Sequence, residues 1–376
     1  MSFLELEREA LERFLPGLDK QLADIPLMDL ERRESPGIEL FRKSGGTGLV
    51  IPTVYNGLGA TAVEAARITR ALATRSPSLA IATTMHQFSV ASLVALAKAS
   101  NNFEWMLLDG VAVDGRLVAS GFAEGRPNQG ILAPTMNARR DGSNWRVDGV
   151  KRPCSLSRSM DLITASLALP DEDGSSRLAV AMIPAASPGI RIEPFWSSWV
   201  LAGAESDAVI LEDVEVHKDL VVFLDSGLDG ELDDLQTIGF VWFELLVTAC
   251  YLGAAAALVE RVLQRGRGPV EERAALATTI EAASMMLDGA ARNLDDGDGG
   301  NGGFGRALVV RFAVADMIGD AVRRAVETLG GIAFVSSPDV AYFAAATHAI
   351  AFHPPSRHSS AQAMVDWFAG RPLILS

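Results

Sequence analysis

The spacing of hydrophobic residues divides the chain into helical, strand-rich and helical regions. Apolar residues recur at near-helical spacing from Leu4 to Leu18, and segments 62–73 and 89–99 are rich in Ala and Leu. From Leu117 to Val216 short or alternating apolar runs, separated by turn residues such as Asp148-Gly149, predict strands over 117–123, 145–150, 162–169, 178–183 and 208–216. Helical patterns then return over 238–264, 270–293, 307–329 and 339–351. This order predicts an α+β fold in which helices precede and follow a unit of antiparallel strands.

One predicted helix is apolar enough to resemble a membrane span. Ile238–Val259 is long enough to cross a bilayer, but it contains Glu244 and Gly253, and we expect no second span. We therefore interpret it as a core helix that another subunit covers in part, in a homodimer or homotetramer. Residues 1–28 carry charges where a signal peptide would be apolar, so we expect neither export nor membrane association.

Composition narrows the functional class. Of the residues, 49% are hydrophobic and 21% are charged, which is typical of a globular protein. A chain of 376 residues is too long for a single hydrophobic core, so we expect two or three packed units. A formal net charge of −14 disfavours nonspecific binding to nucleic acid or to anionic membranes. Two distant cysteines exclude a disulfide scaffold and favour a cytoplasmic location. We expect no metal site.

Five short motifs mark the joints between these regions. They are 40–59 (LFRKSGGTGLVIPTVYNGLG), 120–124 (SGFAE), 145–155 (WRVDGVKRPCS), 207–216 (DAVILEDVEV) and 329–334 (LGGIAF). In this order the motifs resemble those of the acyl-CoA dehydrogenase superfamily. The resemblance implies an N-terminal helical domain (1–115), a middle antiparallel β-barrel domain (116–230) and a C-terminal four-helix bundle (231–376).

The resemblance also implies a flavin, FAD or FMN, at the junction of the three domains. The residues that it assigns to flavin binding are Phe122, Ala123, Glu124, Lys151, Cys154, Ser155 and Arg265. Arg126 and Asn128, which follow the SGFAE motif, are candidates for substrate or phosphate contact, although a solvated loop fits them equally well.

A dehydrogenase of this superfamily needs a carboxylate base. Many members carry that Glu after the glycine pair, where this chain has His353. A second subgroup places it on the first helix of the C-terminal bundle, within about one residue of Glu244. Burial of a lone Glu in an apolar helix should raise its pKa, which suits general-base catalysis. The alternative is a structural Glu244 neutralised by a neighbour.

Other positions resemble a sister branch, the flavin-dependent monooxygenases of the same fold. Segment 264–269 around Arg265 lacks the Phe of the FAD-binding motif, whereas Lys151–Ser155 resembles the Lys-x-x-Cys-Ser of the monooxygenases. Their histidine near the flavin corresponds to His86. A second histidine is expected from 347–357 (THAIAFHPPSR), where either His348 or His353 faces the flavin. Ser155 and these imidazoles can hydrogen-bond activated oxygen.

Three functional hypotheses follow. We prefer a monooxygenase that uses reduced flavin and O2 on a small organic substrate, free or carrier-bound, with His86, Ser155 and His353 at its site. It would receive reduced flavin from a separate reductase. The first alternative is an acyl-CoA or acyl-carrier-protein dehydrogenase with FAD and with Glu244 as base. The second is a flavin-fold binding protein whose catalysis has eroded.

Overall fold

The computed structural model describes residues 2–99, 104–125, 134–170, 176–224, 232 and 234–375. The N-terminal region is helical, and Thr61 and Glu64 form a capping box that fixes where its fifth helix begins. The helices are α1 (Glu5–Phe14), α2 (Leu18–Ala23), α3 (Leu27–Glu31), α4 (Gly37–Lys43), α5 (Ala62–Arg75), α6 (Pro77–Ala99) and α7 (Glu104–Val113).

The described strands of the middle region form two four-stranded sheets. They are β1 (Val118–Gly121), β2 (Asn137–Asp141), β3 (Asn144–Cys154), β4 (Leu162–Pro170), β5 (Ser176–Pro184), β6 (Ile190–Glu193), β7 (Asp207–Val216) and β8 (Val221–Phe223). One sheet has the order β1-β4-β5-β8 and the other β2-β3-β7-β6. Trp145 and Val147 of β3 alternate with exposed or half-buried neighbours, which explains their strand pattern in the sequence.

The expectation of a wholly antiparallel middle domain needs one correction. β1 and β4 pair in parallel, with Val118 opposite Leu162 and Gly121 opposite Ala165. Parallel neighbours require a long crossover, and here the chain crosses to the second sheet as β2 and β3 before it returns as β4.

The C-terminal region is again helical, and its first helix forms the centre of the molecule. The helices are α8 (Asp234–Arg265), α9 (Val270–Asp295), α10 (Asn301–Leu329), α11 (Gly331–Ser336), α12 (Pro338–Thr347) and α13 (Ala361–Phe368). Among the described residues two helices are apolar and long enough to span a membrane, α6 and α8, so the expectation of one such segment was wrong. Their most apolar windows are 72% and 94% buried within the fold.

The chain itself covers α8. It packs against α5 and α6 of the N-terminal region and against α9, α10 and α12 of its own. The closest approach is at Gly253, where a Cβ would stand 2.3 Å from the carbonyl oxygen of Arg70 on α5. This burial removes the reason for expecting another subunit to cover α8, and it brings all three regions to one junction.

Candidate active site

The junction of the three regions encloses a cavity of about 380 Å³. Its walls come from α6 and α7, from β1 and the residues after it, from the β4-β5-β8 sheet, from α8, and from the segment around His353. Apolar side chains predominate, and the polar lining residues are serines, a threonine, Tyr251, His353, Gln236 and two carboxylate residues, Glu104 and Asp219. A concave, mostly apolar pocket with few polar groups is the form that small-molecule sites take.

Aromatic rings from the three regions meet along one wall. Phe88 of α6 lies 6.2 Å from Phe122, which follows β1, and 5.3 Å from Phe243 of α8, between ring centroids. Phe243 in turn lies 6.0 Å from the ring of His353. The edge-to-face and tilted contacts fix these rings in place, so the wall is rigid although it joins separate parts of the chain.

Two serine hydroxyls that line the cavity are hydrogen-bonded to each other. The Oγ atoms of Ser155 and Ser206 are 2.9 Å apart, and both residues line the cavity. Whichever hydroxyl accepts this bond keeps its own proton to donate to a bound molecule. Ser155 was a predicted site residue, but Ser206 was not. Its position directly before Asp207 of the β7 motif was the available signal.

His353 is the histidine that the structure brings to the cavity. Its Nε2 lies 2.6 Å from the hydroxyl of Tyr251 on α8. Burial, assisted by the nearby charge of Arg311, lowers the pKa of His353 to about 3, while burial raises the pKa of Tyr251 well above its usual value. Both groups are therefore uncharged at neutral pH. His348 is exposed and lies outside this cavity, so of the two candidate histidines it is His353 that lines it.

Sequence reasoning missed Tyr251. The signal that could have identified it is its position, because it is the one tyrosine within the apolar run from Leu245 to Val259. A fully buried Tyr hydroxyl needs a hydrogen-bond partner, and His353 supplies one here.

Glu244 does not line the cavity. Its Oε2 accepts a hydrogen bond of 2.7 Å from Nη1 of Arg311 on α10, and both side chains are almost fully buried. Burial raises the pKa of Glu244 to about 7, and the pair with Arg311 opposes that rise. The Glu244 carboxylate faces Arg311 rather than the cavity, where a substrate would bind. This placement argues against Glu244 as an α-proton base.

His86 is also placed away from the cavity lining. Its Nε2 donates to the carbonyl oxygen of Thr47 at 2.9 Å, and its Nδ1 accepts from the backbone N–H of Val118 at 3.0 Å. Burial lowers its pKa to about 4, so the ring is neutral and both nitrogens are used. The ring of His86, which was expected near the flavin, therefore ties α6 to the start of the middle region and does not line the cavity.

The predicted flavin-binding residues fall into two groups. Phe122, Ala123 and Ser155 line the cavity, whereas Lys151, Glu124 and Cys154 do not. Lys151 Nζ donates to Glu124 Oε1 at 2.9 Å and to Ser166 Oγ at 3.0 Å, and Ser166 is itself a lining residue. Lys151 thus touches the cavity only through that serine.

The buried surroundings shift the pKa values of Glu124, Lys151 and Cys154. Burial would raise the pKa of Glu124, but hydrogen bonds from Lys151 and Thr135 hold it at about 2. Burial lowers the pKa of Lys151, and Glu124 opposes that shift. Burial raises the pKa of Cys154 to about 12, so its thiol packs as an apolar group. These residues do not line the cavity, and Lys151 contacts the lining residue Ser166.

Two further expectations concern Arg265 and the pair Arg126 and Asn128. Arg265 is exposed at the end of α8 and does not line the cavity. Arg126 and Asn128 lie outside the described residues.

Comparison with known proteins places this arrangement in a family. No family model matches the chain. Isobutylamine N-hydroxylase of Streptomyces viridifaciens is 48% identical over 376 residues, which cover 99% of this chain and 100% of that protein.

Two solved structures illustrate the shared fold. A nitrososynthase from Micromonospora carbonacea var. africana superposes with a TM-score of 0.83 at 20% identity, covering 97% and 96% of the two chains. FMN-bound TdsC, a dibenzothiophene monooxygenase from Paenibacillus sp. A11-2, superposes with a TM-score of 0.82 at 16% identity, covering 99% and 98%. At these identities the superpositions establish the fold. Together with the close relative, they show that the chain belongs to the acyl-CoA dehydrogenase superfamily, in the flavin-dependent monooxygenase branch that contains isobutylamine N-hydroxylase.

Proposed function

We propose that the protein is a flavin-dependent N-hydroxylase of a small primary alkyl amine. The observation that carries this proposal is the 48% identity, over almost the whole chain, to an isobutylamine N-hydroxylase. The small cavity supports it, because its apolar walls suit a short alkyl group and its few hydroxyls suit an amine nitrogen.

The cavity residues fit a flavin ring. The Ser155–Ser206 pair can donate one hydrogen bond to a ring nitrogen or carbonyl, and Phe122 and Ala123 provide adjacent apolar contact. We propose FMN rather than FAD, because Arg265 of the altered FAD motif lies away from the cavity. FMN in the related structures of TdsC and KijD3 supports the same choice.

The reaction converts an amine into a hydroxylamine: R–NH2 + O2 + 2 e⁻ + 2 H⁺ gives R–NHOH + H2O. Bound reduced flavin supplies the two electrons that activate dioxygen. The chain's own residues exclude water through the aromatic wall and orient the reactants through the hydroxyls of Ser155 and Ser206. His353 and Tyr251 add a neutral hydrogen-bonding pair that neither protonates the amine nor traps it as an ion pair.

The partners follow from that stoichiometry. The amine does not provide the two electrons, so we propose a separate flavin reductase as their source. A homodimer or homotetramer is proposed because Ile332 and Val335 of α11 and Phe368 of α13 are strongly exposed on the C-terminal helices. Two buried free cysteines, Cys154 and Cys250, support a cytoplasmic location.

The test is oxygenation with isotopic oxygen. The purified chain, chemically reduced FMN and isobutylamine are mixed under 18O2, and the products are analysed by mass spectrometry. One 18O atom in the hydroxylamine is the expected result, with a lower yield from Ser155→Ala than from the exposed control Ser143→Ala. Anaerobic bleaching of bound flavin by an acyl thioester, with no oxygen transfer to any amine, would instead establish a dehydrogenase.

A further inference from the structure

A buried ion pair lies close to the cavity, and the proposed reaction does not use it. Glu244 of α8 and Arg311 of α10 are joined at 2.7 Å, with 0% and 2% of their side chains exposed. Buried ion pairs of this kind contribute little net stability, because the desolvation of both charges offsets their attraction. Arg311 also interrupts the apolar run from Leu308 to Val314, so its presence there calls for a further explanation.

The remaining hydrogen bonds of Arg311 all go to one short segment. Nη1 also donates to the carbonyl oxygen of Pro354 at 3.3 Å. Nη2 donates to the carbonyl oxygen of Ile350 at 3.3 Å and to that of His353. Ile350 lies within the short helical turn His348–Phe352, and His353 and Pro354 follow it, so these carbonyls belong to the end of a helical turn, where the backbone lacks partners of its own. One guanidinium therefore holds the backbone of residues 350–354.

That segment carries the cavity histidine. The His353 ring contacts Tyr251 and Phe243 of α8, while its carbonyl is held by Arg311 of α10. Glu244 and Tyr251 lie two turns apart on α8, so this helix supplies both the carboxylate that holds Arg311 and the phenol that holds the imidazole. The residue is thus fixed at its backbone and at its ring by two packed helices.

We propose that Arg311, held by Glu244, is a positioning residue that keeps His353 hydrogen-bonded to Tyr251 at the cavity wall. This inference rests on the proposed function, since it takes the cavity as the place of N-hydroxylation. The planar guanidinium is needed because three carbonyl oxygens must be reached at once. A lysine at this position would keep the charge but not the geometry.

The test is Arg311→Lys in the full chain, followed by 15N spectra of protein labelled at its histidines. The protein has five histidines, so the ring signals can be assigned by single substitution. His86 is an internal reference, because its ring is bonded to Thr47 and Val118, away from the segment. Arg324→Lys is the matched control, since Arg324 lies on the same helix and pairs with Glu272 rather than with residues 350–354.

We expect Arg311→Lys to broaden or shift the His353 signals while those of His86 stay in place, and we expect Arg324→Lys to change neither. Glu244→Gln should also broaden or shift the His353 signals. If Arg311→Lys does not fold, the spectra of Glu244→Gln test the proposal in its place. The yield of hydroxylamine per O2 should fall about ten- to a hundredfold in Arg311→Lys, with hydrogen peroxide released instead. Unchanged His353 signals, or equal changes at His86, would overturn the proposal.

The two readouts separate this inference from the proposed function. The spectra are recorded without amine, so they report the position of His353 whether or not the chain hydroxylates amines. A His353 change together with an absence of hydroxylamine from the unaltered protein would refute the N-hydroxylase function and leave the positioning role intact.

Discussion

Replacing His86 with alanine removes two buried hydrogen bonds that join the N-terminal helices to the middle region. The carbonyl of Thr47 and the N–H of Val118 would both lose their partner in a place without solvent access. Each unsatisfied group costs about 1–3 kcal/mol, so the two together cost about 2–6 kcal/mol before any cavity term. That is a large share of a typical unfolding free energy of about 5–15 kcal/mol.

The assay is thermal and urea unfolding of His86→Ala, with the exposed His358→Ala as control. We expect a clear loss of stability in the first variant and almost none in the second. Below the unfolding transition, oxygen transfer per folded molecule should be unchanged, because the His86 ring does not line the cavity. A stable His86→Ala protein that releases hydrogen peroxide instead of product would refute this reasoning and give His86 a direct role in oxygen chemistry.

Three further predictions concern pH, a thiol and the cavity. Below pH 6.5 the two neutral histidines should lower the unfolding free energy as pH falls, because unfolded histidines take up protons there while His86 and His353 stay neutral down to pH of about 4 and about 3. Glu244, whose pKa is raised to about 7, opposes one of them over the same range. Urea unfolding at several pH values should therefore give a slope for the unaltered protein that exceeds that of His86→Ala by up to about 1.4 kcal/mol per pH unit, and equal slopes would contradict the neutral His86 ring. Cys154 should react with a thiol reagent only after denaturation, since it is buried with a raised pKa, and rapid labelling of the native protein would contradict its placement. Phe88→Ala should widen the aromatic wall and shift kcat/KM toward bulkier amines, whereas the non-lining Phe304→Ala should not; an unchanged substrate profile would remove Phe88 from the substrate pocket.

The sequence predicted those elements whose burial is periodic. The α+β fold is confirmed, and α8 and α9 follow the predicted helices closely, because long apolar helices leave a strong pattern. β2 (Asn137–Asp141) was missed, since its NARRD sequence is mostly exposed and has no apolar alternation. β1 and β4 were predicted as strands, but their parallel pairing depends on a crossover that no local pattern records.

The site was harder to predict than the fold, for a physical reason. A histidine looks the same in a sequence whether it lines a cavity half-buried, as His353 does, or is fully buried and bonded to the backbone, as His86 is. Glu244 was recognised as an unusual charge in an apolar helix, but its partner Arg311 lies on another helix and became visible only in the packing. Sequence patterns report that a residue is buried, and they do not report which side of a helix meets which neighbour.

The central position of α8 has a consequence for biosynthesis. Helices α5 and α6 leave the ribosome first, yet the surface that covers them belongs to α8, which ends at Arg265. At an elongation rate of about 5–20 residues per second, roughly ten to thirty seconds pass between the synthesis of α6 and the synthesis of the last residue of α8. During that interval the apolar surface of α5 and α6 is exposed on the nascent chain, and we expect molecular chaperones to bind it. Expression of residues 1–115 alone should therefore yield aggregates rather than a soluble fragment.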